Sequence, residues 1–175
     1  FFLFGAIQLM TTNSQVIYLK DYQVPVFTIE TTDLDIRIGD EYTSVVARLK
    51  VKRNPASNNP SSELALQGGK DIKLQEVMMN GLILDASSYD LEGSVLSVHQ
   101  CPDTFELTTE CLIQPQLNTS LEGLYKSGGM YCTQCEAEGF RNITYYLDRP
   151  DALSIFTTRI SADKTTYPIL LANGN

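Results

Sequence analysis

The sequence predicts a mostly β domain: short strands, chiefly antiparallel, forming a sandwich or an open curved sheet with one short helix. Three observations carry this. Apolar and polar residues alternate with period two from residue 24 onward. Turn dipeptides and clusters of Gly, Pro, Asn and Ser interrupt the alternation repeatedly. Finally, 43% of the 175 residues are hydrophobic and 19% charged, a composition that builds a core and not a disordered chain.

In chain order, the apolar opening FFLFGAIQLM is too short to span a bilayer and lacks a basic flank or small-residue cleavage pattern. Residues 1–9 therefore read as an upstream extension outside the fold, Met10 as a natural start, and residues 10–175 as the domain. In TTDLDIRI, Leu34, Ile36 and Ile38 share one face while Asp33, Asp35 and Arg37 share the other. After the turn Gly39-Asp40-Glu41, Val45, Ala47, Leu49 and Val51 face inward and Arg48, Lys50 and Lys52 outward, which predicts a hairpin with one wet face. Residues 54–63 read as a loop. ELALQG, DIKLQEVMMNG and GSVLSVH are further strands, and His99 at the end of the last is a structural residue. In TFELTTECLIQ, Cys111 lies in an apolar series with Phe105, Leu107 and Ile113, so it reads as a small buried hydrophobe. Residues 121–140 lose any clean period and predict a loop region. Asp148 as N-cap with Pro150 in the first turn predicts the short helix. FTTRISA and TYPILLANGN are the last strands, and the turn signal Asn173-Gly174 with no strand after it predicts a domain cut short before its final strands.

Thirteen basic against 21 acidic residues give a net charge of −8, which argues against a nucleic-acid partner; no segment predicts a membrane span. The four cysteines are too few for a disulfide scaffold and read as free thiols in a reducing cytoplasm. The two sequons at Asn118 and Asn142 would matter only in a secreted protein. Cys132-x-x-Cys135 lacks the second ligand pair of a structural zinc site and the strand-to-helix context of a redox motif. His99 is the sole histidine available to a Ser/His or Cys/His set, neither a G-x-S-x-G nor a phosphate-binding glycine motif is present, and the chain shows no self-sufficient catalytic set. Glu136 and Glu138, by residue type alone, are solvated loop carboxylates.

Residues 118–175 add a resemblance. Leu121-Glu122-Gly123-Leu124-Tyr125, Cys132 to Phe140 and Ile143 to Asp151, with Tyr18-Leu19-Lys20-Asp21-Tyr22 near the start, closely resemble the N-terminal domain of the bacterial aminopeptidase N family, zinc aminopeptidases of the gluzincin type. The match covers about residues 15–175 and is weaker between 54 and 115. The resemblance implies a saddle-shaped β domain packed against a thermolysin-like catalytic domain, and peptide substrates with a free N-terminus. The zinc ligands of the family lie in an H-E-x-x-H helix that this chain lacks, so this chain alone is expected to be inactive, with no catalytic or metal residue of its own. By the same resemblance, Glu136 matches the carboxylate that holds the substrate α-amine, and Gln134 matches a neighbour that hydrogen-bonds near the first substrate residue. Glu138 is expected to pair with Arg141 or Arg149. The alternative is a non-catalytic β domain that binds a protein or peptide partner.

Overall fold

A computed structural model describes residues 18–174. The expectations for residues 1–9 and for a start at Met10 lie outside the described residues. Among the described residues there are eleven strands: β1 Phe27–Ile38, β2 Thr43–Arg53, β3 Leu64–Gln67, β4 Lys73–Met79, β5 Leu82–Ile83, β6 Tyr89–Glu92, β7 Val95–Val98, β8 Thr104–Ile113, β9 Gly123–Ser127, β10 Met130–Gln134 and β11 Ile155–Ser161. They form a six-stranded sheet of order β11-β1-β2-β8-β4-β5, a three-stranded sheet β3-β7-β6 and the hairpin β9-β10. The fold is mostly β, as predicted, and every pairing is antiparallel except that of β1 with β11. Among the described residues, no helix is long and apolar enough to cross a membrane.

Alternation places the core. Strand β2 is paired along its length with β1 and β8, and Val45, Ala47, Leu49 and Val51 are fully buried while Arg48, Lys50 and Lys52 are exposed. Strand β8 buries Phe105, Leu107, Thr109, Cys111 and Ile113 on one face. In β1 the inward set changes phase: Phe27 and Ile29 are buried before a bulge at Ile29/Thr31, and Thr32, Leu34 and Ile36 after it. One inserted residue swaps the faces. Leu64, Leu66, Leu96 and Val98 of the three-stranded sheet join the same core.

Four expectations are corrected. Asp35, assigned to the wet face, is buried, because β11 lies alongside and sets Arg159 opposite it. Arg37 Nε (3.3 Å) and Arg159 Nη1 (3.5 Å) reach its carboxylate. The Arg37 hydrogen bond holds its pKa below the usual carboxylate range, against the opposing effect of burial. The region 121–140 is not all loop but contains β9-β10, whose turn Gly128-Gly129 has φ of 56° and 87°. Such a two-residue turn with positive φ at both positions matches the twist of a hairpin. The period was hidden because the ribbon is largely exposed on both faces. The short helix expected at Asp148 is a turn closed by Ala152 N–H donating to the Arg149 carbonyl (3.1 Å). The capping carboxylate is taken by Arg141, and Arg149 N–H donates instead to the Leu147 carbonyl (2.9 Å). The helical turns that do exist are three-residue 3-10 segments at Leu19–Asp21, Pro115–Leu117 and Phe140–Asn142. Finally, residues 166–174, expected as a strand, are irregular, with Tyr167 held by Lys126 Nζ (2.9 Å).

Burial pushes the thiols of Cys101 and Cys111 from 9.0 up to about 11. An unfolded chain releases these protons first, so the folded state holds its full stability below about pH 9 and loses it as pH rises toward 11. Urea midpoints are expected to fall across that window, and less steeply in Cys111→Val. On the native protein, alkylation with mass-spectrometric readout at neutral pH is expected to leave Cys101 and Cys111 unmodified.

Candidate functional site

The segment 134–139 leaves hairpin β9-β10 and turns sharply back toward the core. Its first residue, Gln134, is the last of β10 and pairs with Gly123. Gly123 has φ of 74°, and a Cβ there would meet Asn142 Cβ at 2.6 Å, so only glycine suits the position. The hairpin is braced from outside: Lys126 Nζ sits 5.1 Å from the Tyr131 ring centroid, and the Tyr131 ring packs tilted against Tyr167 at 5.3 Å between centroids.

Within the loop, side chains divide by direction. Cys135 is half-buried against the core, and burial raises its thiol pKa, with Asp148 adding to the effect. Glu136 is exposed, and no described residue forms an ion pair with its carboxylate. Its backbone carbonyl accepts a long hydrogen bond from Gln134 Nε2 (3.4 Å), which brings the two sequence-predicted residues together. The Glu136–Ala137 peptide is cis. The loop closes where Gly139 N–H donates to the Cys135 carbonyl (2.8 Å). A Cβ at Gly139 would stand 2.6 Å from the Gln134 carbonyl oxygen and 2.9 Å from Cys135 Cα.

Glu138 pairs with Arg141 (3.1 Å), one of the two partners expected for it. Arg149 instead binds Asp151, at 2.9 and 2.8 Å. Sequence reasoning missed Asp148 as a partner of Arg141. Its Oδ2 accepts from Arg141 N–H (3.1 Å) and Nε (2.9 Å), and its carbonyl from Arg141 Nη2 (3.0 Å). The signal was present as an Arg-Asp pair flanking an apolar run, but it also fits a helix cap.

Two cavities lie nearby and neither includes Glu136 or Gln134. One, of about 370 Å³, is lined by Lys70, Asp71, Asn118 and Glu122 among others. The other, about 510 Å³, is an apolar groove between β1, β10, β11 and residues 166–171. The candidate anchor thus stands on an open surface of this chain. All four cysteines are free, and among the described residues no group of three His, Cys, Asp or Glu side chains could hold a metal ion.

Residues 28–175 match the family model for the peptidase M1 N-terminal domain. Aminopeptidase N of Caulobacter vibrioides is 46% identical over 165 residues, covering 94% of this chain and 18% of the relative. A crystal structure of Legionella pneumophila aminopeptidase A in complex with aspartic acid superposes with a TM-score of 0.84 at 32% identity, covering 89% of this chain and 18% of that one. An M1 zinc metallopeptidase from Deinococcus radiodurans shares the fold, with a TM-score of 0.65 at 18% identity over 80% of this chain and 33% of its own. The chain therefore spans about a fifth of the length of the curated relatives it matches.

Gly139→Ala is expected to cost about 1–3 kcal/mol of stability, because the added methyl meets backbone and not a flexible side chain. Urea unfolding checks this; an unchanged midpoint would show that the loop relaxes freely.

Proposed function

This chain belongs to the peptidase M1 N-terminal domain family, and from that premise we propose that it anchors the substrate amine in a zinc-dependent aminopeptidase. The single observation that carries this reading is the carboxylate of Glu136: exposed, without an ionic partner among the described residues, and carried on a tightly closed loop beside Gln134. A carboxylate left without a cation in a chain that pairs its neighbour Glu138 is suited to receive a cation from elsewhere.

The energetics define what else is required. An ion pair in open water is worth about 0–1 kcal/mol, too little to select a substrate. The same contact shielded from solvent, with charge-assisted hydrogen bonds, is worth roughly 1.5–3 kcal/mol or more. The anchor therefore gains its strength when a further domain of the same polypeptide closes over this surface. Within the closed cleft, Glu136 accepts hydrogen bonds from the α-ammonium of a peptide, and the Gln134 amide bonds next to the first residue. A peptide without a free N-terminus leaves the carboxylate desolvated and unpaired, which disfavours internal peptide bonds. Holding the amine also places the first peptide bond at a set distance, a positioning effect.

The described residues do not fit a zinc site, so no step through the metal is assigned to them. On this reading the metal and the hydrolytic groups belong to the rest of the enzyme, and this chain alone is inactive. The free cysteines support a reducing, cytoplasmic setting.

In the full-length enzyme, Glu136→Gln is expected to lower kcat/KM on aminoacyl p-nitroanilides by about 100-fold or more. Wild-type kinetics in that variant would remove Glu136 from the site.

A further inference from the structure

We infer that Arg141 and Asp148, with Glu138 as their outer arm, are positioning residues that hold the Glu136 carboxylate out toward substrate. The inference rests on the reading of Glu136 as the amine anchor. A continuous set of polar contacts reaches from the core to the loop. It starts at Gln67 in β3, whose Oε1 accepts from Asp148 N–H (3.1 Å). The Asp148 side chain, 11% exposed, then takes two hydrogen bonds from Arg141, through the backbone N–H and through Nε. Arg141 Nη2 donates to the Asp148 carbonyl and meets Glu138 Oε2 at 3.1 Å. Glu138 is two residues from Glu136.

This set holds one side of the loop. The other side is held by the pairing of Gln134 with Gly123 and by the half-buried Cys135. Fixed at residues 134, 135, 138 and 139, the chain leaves Glu136 and Ala137 to project. The charges act in the same direction. One guanidinium lies between two carboxylates, so its charge is satisfied locally and it has no deficit to fill by recruiting a third. Removing either acid takes away one of the two carboxylates that hold the guanidinium and frees some of its N–H donors within a few residues of Glu136, where they compete with the substrate ammonium.

The test is a pair of double-mutant cycles in the full-length enzyme, reading kcat and KM on an aminoacyl p-nitroanilide and inhibition by a free-amine ligand against its N-acetylated form. Asp148→Asn and Glu138→Gln are each expected to lower kcat/KM by about 10-fold and to reduce free-amine selectivity, yet to add less than about 2-fold on top of Glu136→Gln. A merely structural role would give additive losses. Glu138 is 64% exposed, so Glu138→Gln keeps the inference testable if Asp148→Asn fails to fold. Additivity with Glu136→Gln in the folded variants overturns the inference and leaves the anchor reading standing. No effect of Glu136→Gln alone removes the anchor reading, and this inference with it.

Discussion

The site depends on the burial of the run Ile143 to Leu147, and within it on Tyr145 seated against Gly68. All five residues are buried in sequence, which an alternating strand cannot do. The run lies across the core and meets the edge strand β3 at a single bridge, Gln67 with Tyr146. A Cβ on Gly68 would overlap the Tyr145 ring, so the glycine admits a ring that is 2% exposed. Gln67 and Tyr146 exchange backbone hydrogen bonds at 2.8 and 2.9 Å, and Thr144 Oγ1 meets Thr109 Oγ1 at 3.4 Å. The loop bearing Glu136 enters this run and Asp148 leaves it. Two segments that clasp one another through Arg141 are thus set in place by the same buried stretch.

Charge is handled in two ways on this chain. Where a carboxylate must be buried it is given guanidinium partners: Asp35 has Arg37 and Arg159, and Asp148 has Arg141. Burying an unpaired carboxylate costs several kcal/mol, so such acids are rare without cations. Glu136 stands in water, where a lone carboxylate is tolerated. A net charge of −8 leaves acids in excess over bases, and their placement decides which remain available to a ligand.

Much of the fold was legible. The alternation in β2 and β8 named their buried faces residue by residue, and Cys111 fell where the apolar series put it. The pairing of Glu138 was legible to within two arginines, of which Arg141 at i+3 is the one used. The hairpin β9-β10 was missed although Gly128-Gly129 marks its turn, because an exposed two-stranded ribbon carries no hydrophobic period. Asp148 was misread because a capping carboxylate and a guanidinium acceptor are the same residue type; what it binds depends on what folds beside it.

By itself, the sequence determined the β class, the inward faces of β2 and β8, the membership in an M1 N-terminal domain family, and Glu136 with Gln134 as the candidates for binding. Periodicity and residue identity are local properties and are read without coordinates. Only the tertiary structure decided that Asp35 is buried, that Asp148 clasps Arg141 and answers to Gln67, and that Glu136 beside them has no ion-pair partner among the described residues. Those outcomes rest on contacts between residues 81 and 124 positions apart, Asp148 with Gln67 and Asp35 with Arg159. Which partner such a group finds is settled by where the sheets bring distant segments together, and no local pattern encodes that.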